Sequence, residues 1–188
     1  MRRTLWLAAM ACGLGLTSAA MADEVAAPGG SGLISELKFG ALAHDVPGLW
    51  SGFQAEKSAV DINAEVDFHP LWTSEWSSLR PAIGGTFNTA GQTSHAYADL
   101  RWQIAPSPVW FLTLGIGAAF NNGVTYDPAQ PDRKWLGSHI LFHPTAEIGL
   151  NLDPHNSVSV YFEHMSNANL VNTNEGMDDI GVRYGYRF

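Results

Sequence analysis

The chain has 188 residues, of which 46% are hydrophobic, and its formal net charge at pH 7 is −8. This length suits a single domain, and the acidic balance argues against nucleic-acid binding, because an acidic surface repels phosphate. The single cysteine, Cys12, lies in the N-terminal segment described next. Disulfides, thiolate catalysis and cysteine-ligated metal sites are therefore excluded for the rest of the chain.

The N-terminal segment, residues 1–22, has the pattern of a secretory signal peptide. It begins with a basic pair, Arg2 and Arg3, continues with a short apolar run and ends in the small-residue sequence AMA, as a cleavage site requires. The apolar run is too short for a transmembrane anchor. We expect cleavage before Asp23. Because the segment holds two basic residues and no acid, its loss changes the net charge from −8 to about −10.

The remaining residues, 23–188, show period-two alternation of apolar and polar side chains, which is typical of β-strands. In residues 59–68, for example, Val60, Ile62 and Ala64 alternate with Asp61 and Asn63. The pattern predicts eight strands. They span residues 35–44, 59–68, 80–88, 95–104, 109–120, 139–152, a strand that begins the run 157–170, and 180–188.

The alternation alone fits a soluble sandwich or a soluble lipid-carrying barrel as well as a membrane barrel. An even number of strands, several of about ten residues, favours an outer-membrane barrel. So do the aromatic ending at Phe188 and the alternation of tight turns with long polar loops. Tryptophans also collect near predicted strand ends, as a membrane girdle would require; they are Trp50, Trp72, Trp76, Trp110 and Trp135. We predict an all-β fold, an eight-stranded antiparallel transmembrane β-barrel, in a Gram-negative outer membrane.

The polar faces of the predicted strands would fill the barrel interior, where charges must be paired. We interpret them as an ion-pair network rather than a pore or proton path. Its members are Glu36, Lys38, Asp61, Glu65, Asp99, Arg101, Glu147, Glu163 and Arg183. His95, His139 and His143 fall on the same faces. Their spacing matches no known ligand pattern, so we predict lumen or rim residues, with no metal and no cofactor.

One strand places a histidine and a serine on its apolar face. In SVSVYFEHMSNANL, residues 157–170, His164 and Ser166 share the face of Val158, Val160 and Phe162. A histidine beside a serine can take the hydroxyl proton as the oxygen attacks an acyl carbon, and a third group should orient the imidazole. The His-x-Ser pair is by itself a weak motif.

The last residues, HMSNANLVNTNEGMDDIGVRYGYRF, resemble the C-terminal segment of the lipid A 3-O-deacylase (PagL-type) family. That family has a His-x-Ser-Asn-Ala run at the end of the seventh strand, then Asn-x-Gly and an acid. The resemblance implies that Ser166 is the nucleophile and His164 the general base. Asp178 occupies the position of the acid, which is usually glutamate, and Glu175 is the alternative acid.

The resemblance also implies residues that bind the developing oxyanion. Asn174 matches the family asparagine, and backbone amides of Asn167 and Ala168 are further candidate donors. We therefore expect a catalytic segment at residues 164–178, within a mature domain at 23–188.

The function implied by the resemblance is hydrolysis of the ester-linked 3-hydroxyacyl chain of lipid A on the lipid-facing side of the barrel. Two alternatives stay open: a non-enzymatic structural or adhesive barrel, and an acyl-ester hydrolase with a different lipid substrate. The expected partners are lipid A or lipopolysaccharide, the outer membrane, and the barrel-assembly machinery through Phe188. A homodimer is left open, and no nucleic-acid partner is expected.

Overall fold

The computed structural model describes residues 32–188, so the predicted signal peptide lies outside the described residues. Ten β-strands form one antiparallel sheet in this part of the chain. They are β1 (Ile34–Ala43), β2 (Val60–Phe68), β3 (Trp72–Thr73), β4 (Ser77–Asn88), β5 (His95–Ile104), β6 (Trp110–Asn121), β7 (Ile140–Phe142), β8 (Thr145–Asn151), β9 (Asn156–Met165) and β10 (Met177–Arg187). Within the same residues, no helix has the length and apolar character needed to cross a bilayer.

The sheet closes on itself into a barrel. Strand β1 pairs with both β10 and β2, and β2 pairs with β4 across the β3 hairpin, which completes the ring. Strands β7 and β8 both pair with β6 and together form one wall strand, whereas β3 only extends the hairpin with β4. The wall therefore has eight antiparallel strands, and the predicted fold is confirmed.

Two details of the wall differ from the predicted strands. The strand predicted at 139–152 is interrupted at His143 and Pro144, because proline has no N–H to donate to a sheet ladder. The carbonyl of Pro144 nevertheless accepts the backbone N–H of His164 at 3.0 Å. The connection at 70–79 is not a plain loop, since Trp72 and Thr73 pair with the start of β4.

The two faces of the wall have opposite character. Outward positions are apolar and exposed, as Val160 at 48% and Val182 at 63% show. Inward positions are buried and charged: Lys38 Nζ lies 3.0 Å from Glu147 Oε2, and Arg183 Nη2 lies 2.6 Å from the same oxygen. An apolar exterior around a polar, paired interior is the pattern of a membrane barrel. All nine predicted members of the interior ion-pair network are buried, and Asp67, which was not among them, joins the network 3.2 Å from Lys38 Nζ.

The two ends of the barrel differ in the length of their connections. Tight turns at 105–109 and 152–155 lie at one end, whereas segments 44–59, 122–139 and 166–176 lie at the other. Strand β9 ends at Met165 and β10 begins at Met177. The motif residues predicted for catalysis are therefore at the rim where the long loops converge.

Candidate active site

His164 and Asp178 are direct neighbours across the β9–β10 pair. Directly opposed residues of an antiparallel pair project to the same face. His164 Nδ1 lies 2.6 Å from Asp178 Oδ1. Because an ionised carboxylate can only accept hydrogen bonds, Nδ1 carries the proton. The lone pair of the neutral imidazole is then on Nε2, where a general base needs it.

The second carboxylate oxygen of Asp178 accepts three hydrogen bonds from the loop at 44–59. The backbone N–H groups of Trp50 and Ser51 each lie 2.6 Å from Asp178 Oδ2, and the Ser51 hydroxyl lies 2.9 Å away. Asp178 is fully buried. Hydrogen bonds of this kind favour the charged form of a carboxylate and fix its orientation.

A buried lysine holds this loop in place. Lys134 Nζ donates to Ser51 Oγ at 3.2 Å and lies 3.1 Å from Asp45 Oδ1. Lys134 belongs to segment 122–139 and is 1% exposed. The lysine therefore connects two long loops to the carboxylate of Asp178 through Ser51.

The imidazole of His164 is covered from outside although it lies on the outer face. The indole of Trp50 stacks on the ring with a centroid separation of 4.6 Å and an interplanar angle of 15°, and His164 is only 5% exposed. Gly176 lies close to the Cε1 edge of the His164 ring: a Cβ at position 176 would be 3.1 Å from His164 Cε1. Gly176 also has φ +62°, a conformation that L residues with side chains adopt only with strain.

Ser166 follows His164 by two residues and is half-buried. Its backbone forms a bridge with Phe142, with N–O distances of 2.8 and 3.3 Å. Within residues 32–188, no hydrogen bond joins the Ser166 hydroxyl to His164. Two strand positions on one face are about 6.7 Å apart along the strand, and such catalytic contacts often tighten only when substrate binds.

The candidate oxyanion donors form a compact turn. The backbone N–H of Asn167 already donates to Asn174 Oδ1 at 2.9 Å, and Asn174 Nδ2 donates to Asn169 Oδ1 at 3.1 Å. Ala168 and Asn169 have φ of 52° and 61°, the left-handed region that only a few per cent of non-glycine residues adopt. In residues 32–188 the N–H of Ala168 has no acceptor. Asn174 thus shapes the turn, while the Ala168 amide is free to bind an oxyanion.

Glu175, the alternative acid, points to a different partner. Its Oε2 accepts the backbone N–H of Trp135 at 2.6 Å. The structure therefore brings Asp178 to His164 and leaves Glu175 as a link between segments 166–176 and 122–139.

A second buried histidine lies at the same rim. His44 Nδ1 is 2.8 Å from Asp61 Oδ2, and Nε2 is 3.1 Å from Glu56 Oε2. Burial alone would lower the pKa of His44, but the hydrogen bonds with Asp61 and Glu56 outweigh it and raise this pKa to about 10. Burial acts against the charged form of Glu56 too, yet its bonds to His44 and Thr93 lower its pKa to about 2. This charged pair anchors the loop that carries Trp50 and Ser51.

Two groups of side chains within residues 32–188 have donor atoms close enough to hold a metal ion. One comprises His44, Asp61 and Asp179, and the other comprises His95, His143 and Glu163. Neither group includes His164, Ser166 or Asp178.

Sequence reasoning missed three residues that support the site: Trp50, Ser51 and Lys134. The girdle predicted for Trp50 stays a prediction; the residue is 63% exposed, and its indole also stacks on His164. Ser51 and Lys134 lie in loops far from the motif along the chain. Loop positions carry no periodic signal, so no pattern in the sequence would have linked them to Asp178.

The closed wall and the apolar outer surface define an outer-membrane β-barrel, and comparison with known proteins agrees. The model of the family "Lipid A 3-O-deacylase (PagL)" matches residues 60–187. The chain is also 25% identical over 133 residues to lipid A deacylase PagL of Bordetella bronchiseptica strain RB50. The aligned region covers 63% of this chain and 70% of that protein.

Solved structures share the fold. The crystal structure of the outer membrane enzyme PagL superposes with a TM-score of 0.60 at 20% identity, covering 81% of this chain and 99% of that one. The attachment invasion locus protein Ail of Yersinia pestis, solved with a heparin analogue, gives a TM-score of 0.50 at 11% identity, covering 82% and 97%. The chain belongs to the lipid A 3-O-deacylase (PagL) family. It is an ester hydrolase of the outer membrane.

Proposed function

We propose that this protein removes the ester-linked 3-hydroxyacyl chain at the 3-position of lipid A by a Ser-His-Asp mechanism. The observation that carries the proposal is the contact of 2.6 Å between His164 and Asp178 on the outer face of the barrel. Ser166 follows two residues further on and is paired with Phe142, whose side chain is exposed on the outer surface. Membership of the lipid A 3-O-deacylase family supports the substrate.

In the proposed reaction Ser166 Oγ attacks the acyl carbon while His164 Nε2 takes the hydroxyl proton. Asp178 keeps the imidazole in the required tautomer and stabilises its cation. The tetrahedral intermediate collapses, and the imidazolium returns the proton to the sugar oxygen that leaves. Water, deprotonated by the same histidine, then hydrolyses the acyl-serine and releases a 3-hydroxy fatty acid.

The oxyanion of the tetrahedral intermediate needs donors that are already in place. We assign this role to the backbone N–H of Ala168, whose left-handed φ of 52° turns the chain directly after the nucleophile. Asn174 supports it indirectly, because its side chain holds both Asn167 and Asn169.

The surface beside Ser166 fits a substrate that lies in the membrane. A groove of about 280 Å³ is lined by apolar side chains of β6, β7 and the turn at 166–176, together with the polar residues Ser138 and Asn167. Ile140 and Leu170 at its edge are 67% and 75% exposed. Exposed apolar patches mark membrane or ligand contacts. A lipid already in the outer leaflet could therefore reach the site by lateral diffusion.

The decisive experiment is mass spectrometry of lipid A from Gram-negative cells that express the protein or its Ser166→Ala variant. Loss of one 3-hydroxyacyl mass with the wild type alone supports both the activity and the nucleophile. If folded wild-type barrel in the outer membrane leaves lipid A unchanged, a structural barrel or a different ester substrate becomes the better explanation.

Two partners belong to the same proposal. The C-terminal Phe188 is half-exposed beside β1, where its N–H donates to the Ser35 carbonyl at 3.2 Å. We assign recognition of Phe188 to the barrel-assembly machinery.

A homodimer in the membrane is left open. Cross-linking of folded protein in detergent would decide the oligomeric state.

A further inference from the structure

The barrel interior contains a cluster of three ligand-type side chains, His95, His143 and Glu163, called here the interior histidine cluster. His95 begins β5, His143 sits at the break between β7 and β8, and Glu163 is on β9. Their side chains are at most 1% exposed. His143 Nε2 lies 3.2 Å from Glu163 Oε2, and His95 Nε2 lies 3.3 Å from Glu163 Oε1.

The imidazole of His95 is buried without a hydrogen-bond partner. Neither of its ring nitrogens makes a hydrogen bond within residues 32–188, and the residue is 3% exposed. Its Nε2 lies 3.3 Å from Glu163 Oε1, within hydrogen-bonding distance but without the geometry of a hydrogen bond. An unpaired buried polar group is costly, so a cation bound to Nε2 would satisfy a nitrogen that Glu163 leaves without a hydrogen bond.

The other two members are held as metal ligands usually are. His143 Nδ1 lies 2.9 Å from Asp99 Oδ2, and its Nε2 lies 3.2 Å from Glu163 Oε2. With Nδ1 donating to Asp99, Nε2 is the nitrogen that would bind a cation in exchange for its contact with Glu163. The carboxylate of Glu163 accepts the hydroxyls of Thr86 at 2.6 Å and Tyr161 at 3.0 Å. A histidine whose second nitrogen donates to a carboxylate, beside a hydrogen-bonded acid, is the usual support of a metal ligand set.

We propose that the interior histidine cluster binds a divalent transition cation of the zinc class. Two imidazoles and one carboxylate are a common zinc ligand set. One ligand atom from each of the three residues lies within 4.8 Å of the other two, and bonds of about 2.0–2.1 Å in a tetrahedral site require about 3.3–3.4 Å between them, so a small inward shift of the side chains would complete the set. The rim group at His44 differs, because it holds a single imidazole whose two nitrogens both make hydrogen bonds, whereas His95 makes none.

The cation would act on the wall of the barrel and not on the substrate. It would join β5, the β7–β8 break and β9 at one point inside the lumen. Glu163 directly precedes His164, whose side chain lies on the opposite face. The cation would therefore fix the backbone that carries the catalytic base. Because the cluster is closed to solvent, the cation enters while the barrel folds. This inference does not depend on the proposed reaction.

The test is to refold the full barrel in detergent with Co²⁺ as a probe, then remove loosely bound metal with a chelator. Folding is verified by the difference in gel mobility between heated and unheated samples. The wild type should retain stoichiometric cobalt with the visible absorption of a four-coordinate site. His95→Gln and His143→Gln should lose both signals. His155→Gln, on the exposed turn at 152–155, should retain them and controls for adventitious histidine binding.

The proposal is overturned if folded wild-type barrel retains no cobalt and shows no four-coordinate spectrum. It is equally overturned if His95→Gln, His143→Gln and His155→Gln retain the same amount. Should the histidine variants fail to fold, Glu163→Gln provides a milder change that keeps a hydrogen-bonding side chain of the same size. Absence of cobalt from the folded wild-type barrel overturns the proposal even without any variant.

Discussion

The contact between Asp178 and His164 makes the substitution Asp178→Asn the most informative change at the site. In the wild type, three donors from Trp50 and Ser51 point at Asp178 Oδ2. In the variant these donors would select the amide oxygen for that position, because only oxygen can accept them. The amide nitrogen would then face His164 and donate to Nδ1.

This rearrangement reverses the tautomer of the base. With Nδ1 accepting a hydrogen bond from the amide, the ring proton is on Nε2, and His164 can no longer accept the Ser166 proton. Substitutions that reverse the tautomer in this way lower kcat by about 10⁴-fold in serine hydrolases. A loss of 10³- to 10⁴-fold corresponds to about 4–5.5 kcal/mol of transition-state stabilisation.

The assay is the rate of 3-hydroxyacyl release from purified lipid A in detergent, followed by mass spectrometry. Glu175→Gln is the matched control, because it removes the charge of the alternative acid while its amide oxygen can still accept the Trp135 N–H. We expect Glu175→Gln to stay within about tenfold of the wild type, which is less than 1.4 kcal/mol.

The assignment of Asp178 as the acid would be refuted if Glu175→Gln lost more activity than Asp178→Asn. If Asp178→Asn, shown to be folded by heat-dependent gel mobility, lost less than tenfold while Glu175→Gln lost most activity, Glu175 would be the acid. If both variants kept wild-type rates, His164 would need no orienting carboxylate and the proposed mechanism would be wrong.

Three further predictions follow from the rim of the barrel. Gly176→Ala should reduce kcat about tenfold or more with the barrel still folded. The left-handed φ at this position costs an alanine about 1–2 kcal/mol, and the new methyl group would press on His164. An unchanged kcat would contradict this prediction. Ser51→Ala should reduce kcat about tenfold, since a hydrogen bond to the charged Asp178 is worth about 1.5–3 kcal/mol, whereas unaltered kinetics would show that two donors suffice. The pKa of His44 is raised to about 10, so the stabilisation that protonated His44 gives to segment 44–59 is complete below about pH 6.5 and is lost as pH rises through 10. Hydrogen exchange of this segment, corrected for intrinsic rates and compared with β2, should therefore increase as pH rises through 10. The same increase should be absent in His44→Gln.

Most of the wall could be predicted from the sequence because a strand in a membrane barrel has two environments that alternate strictly. In β2 every second residue from Asp61 to Asp67 is buried, and those between are half-buried or exposed. The break at Pro144 was not predicted, since the apolar residues on either side keep their alternation. The short pairing of Trp72 was also missed, because a two-residue strand has no period to detect.

The site was only partly predictable, and the limit is physical. Strand parity places Asp178 and His164 on one face, so their proximity follows once β9 and β10 pair. The interior histidine cluster needs closure of the whole barrel, since its members come from three separate wall segments. The loop contacts of Ser51 and Lys134 depend on turns without periodicity, which only the folded chain reveals.

The loop contacts also account for an acid shorter than the glutamate usual in the family. The carboxylate of Asp178 lies within 2.6 Å of His164 on one side and of the Trp50 and Ser51 amides on the other. An additional methylene would extend the side chain by about one C–C bond, roughly 1.5 Å, and no such space exists between the ring and the loop. The shorter acid therefore depends on a loop that lies this close to the ring, and Lys134 holds that loop through Ser51. The aspartate and the loop at 44–59 are matched parts of one site, so a change in either should be tolerated only with a change in the other.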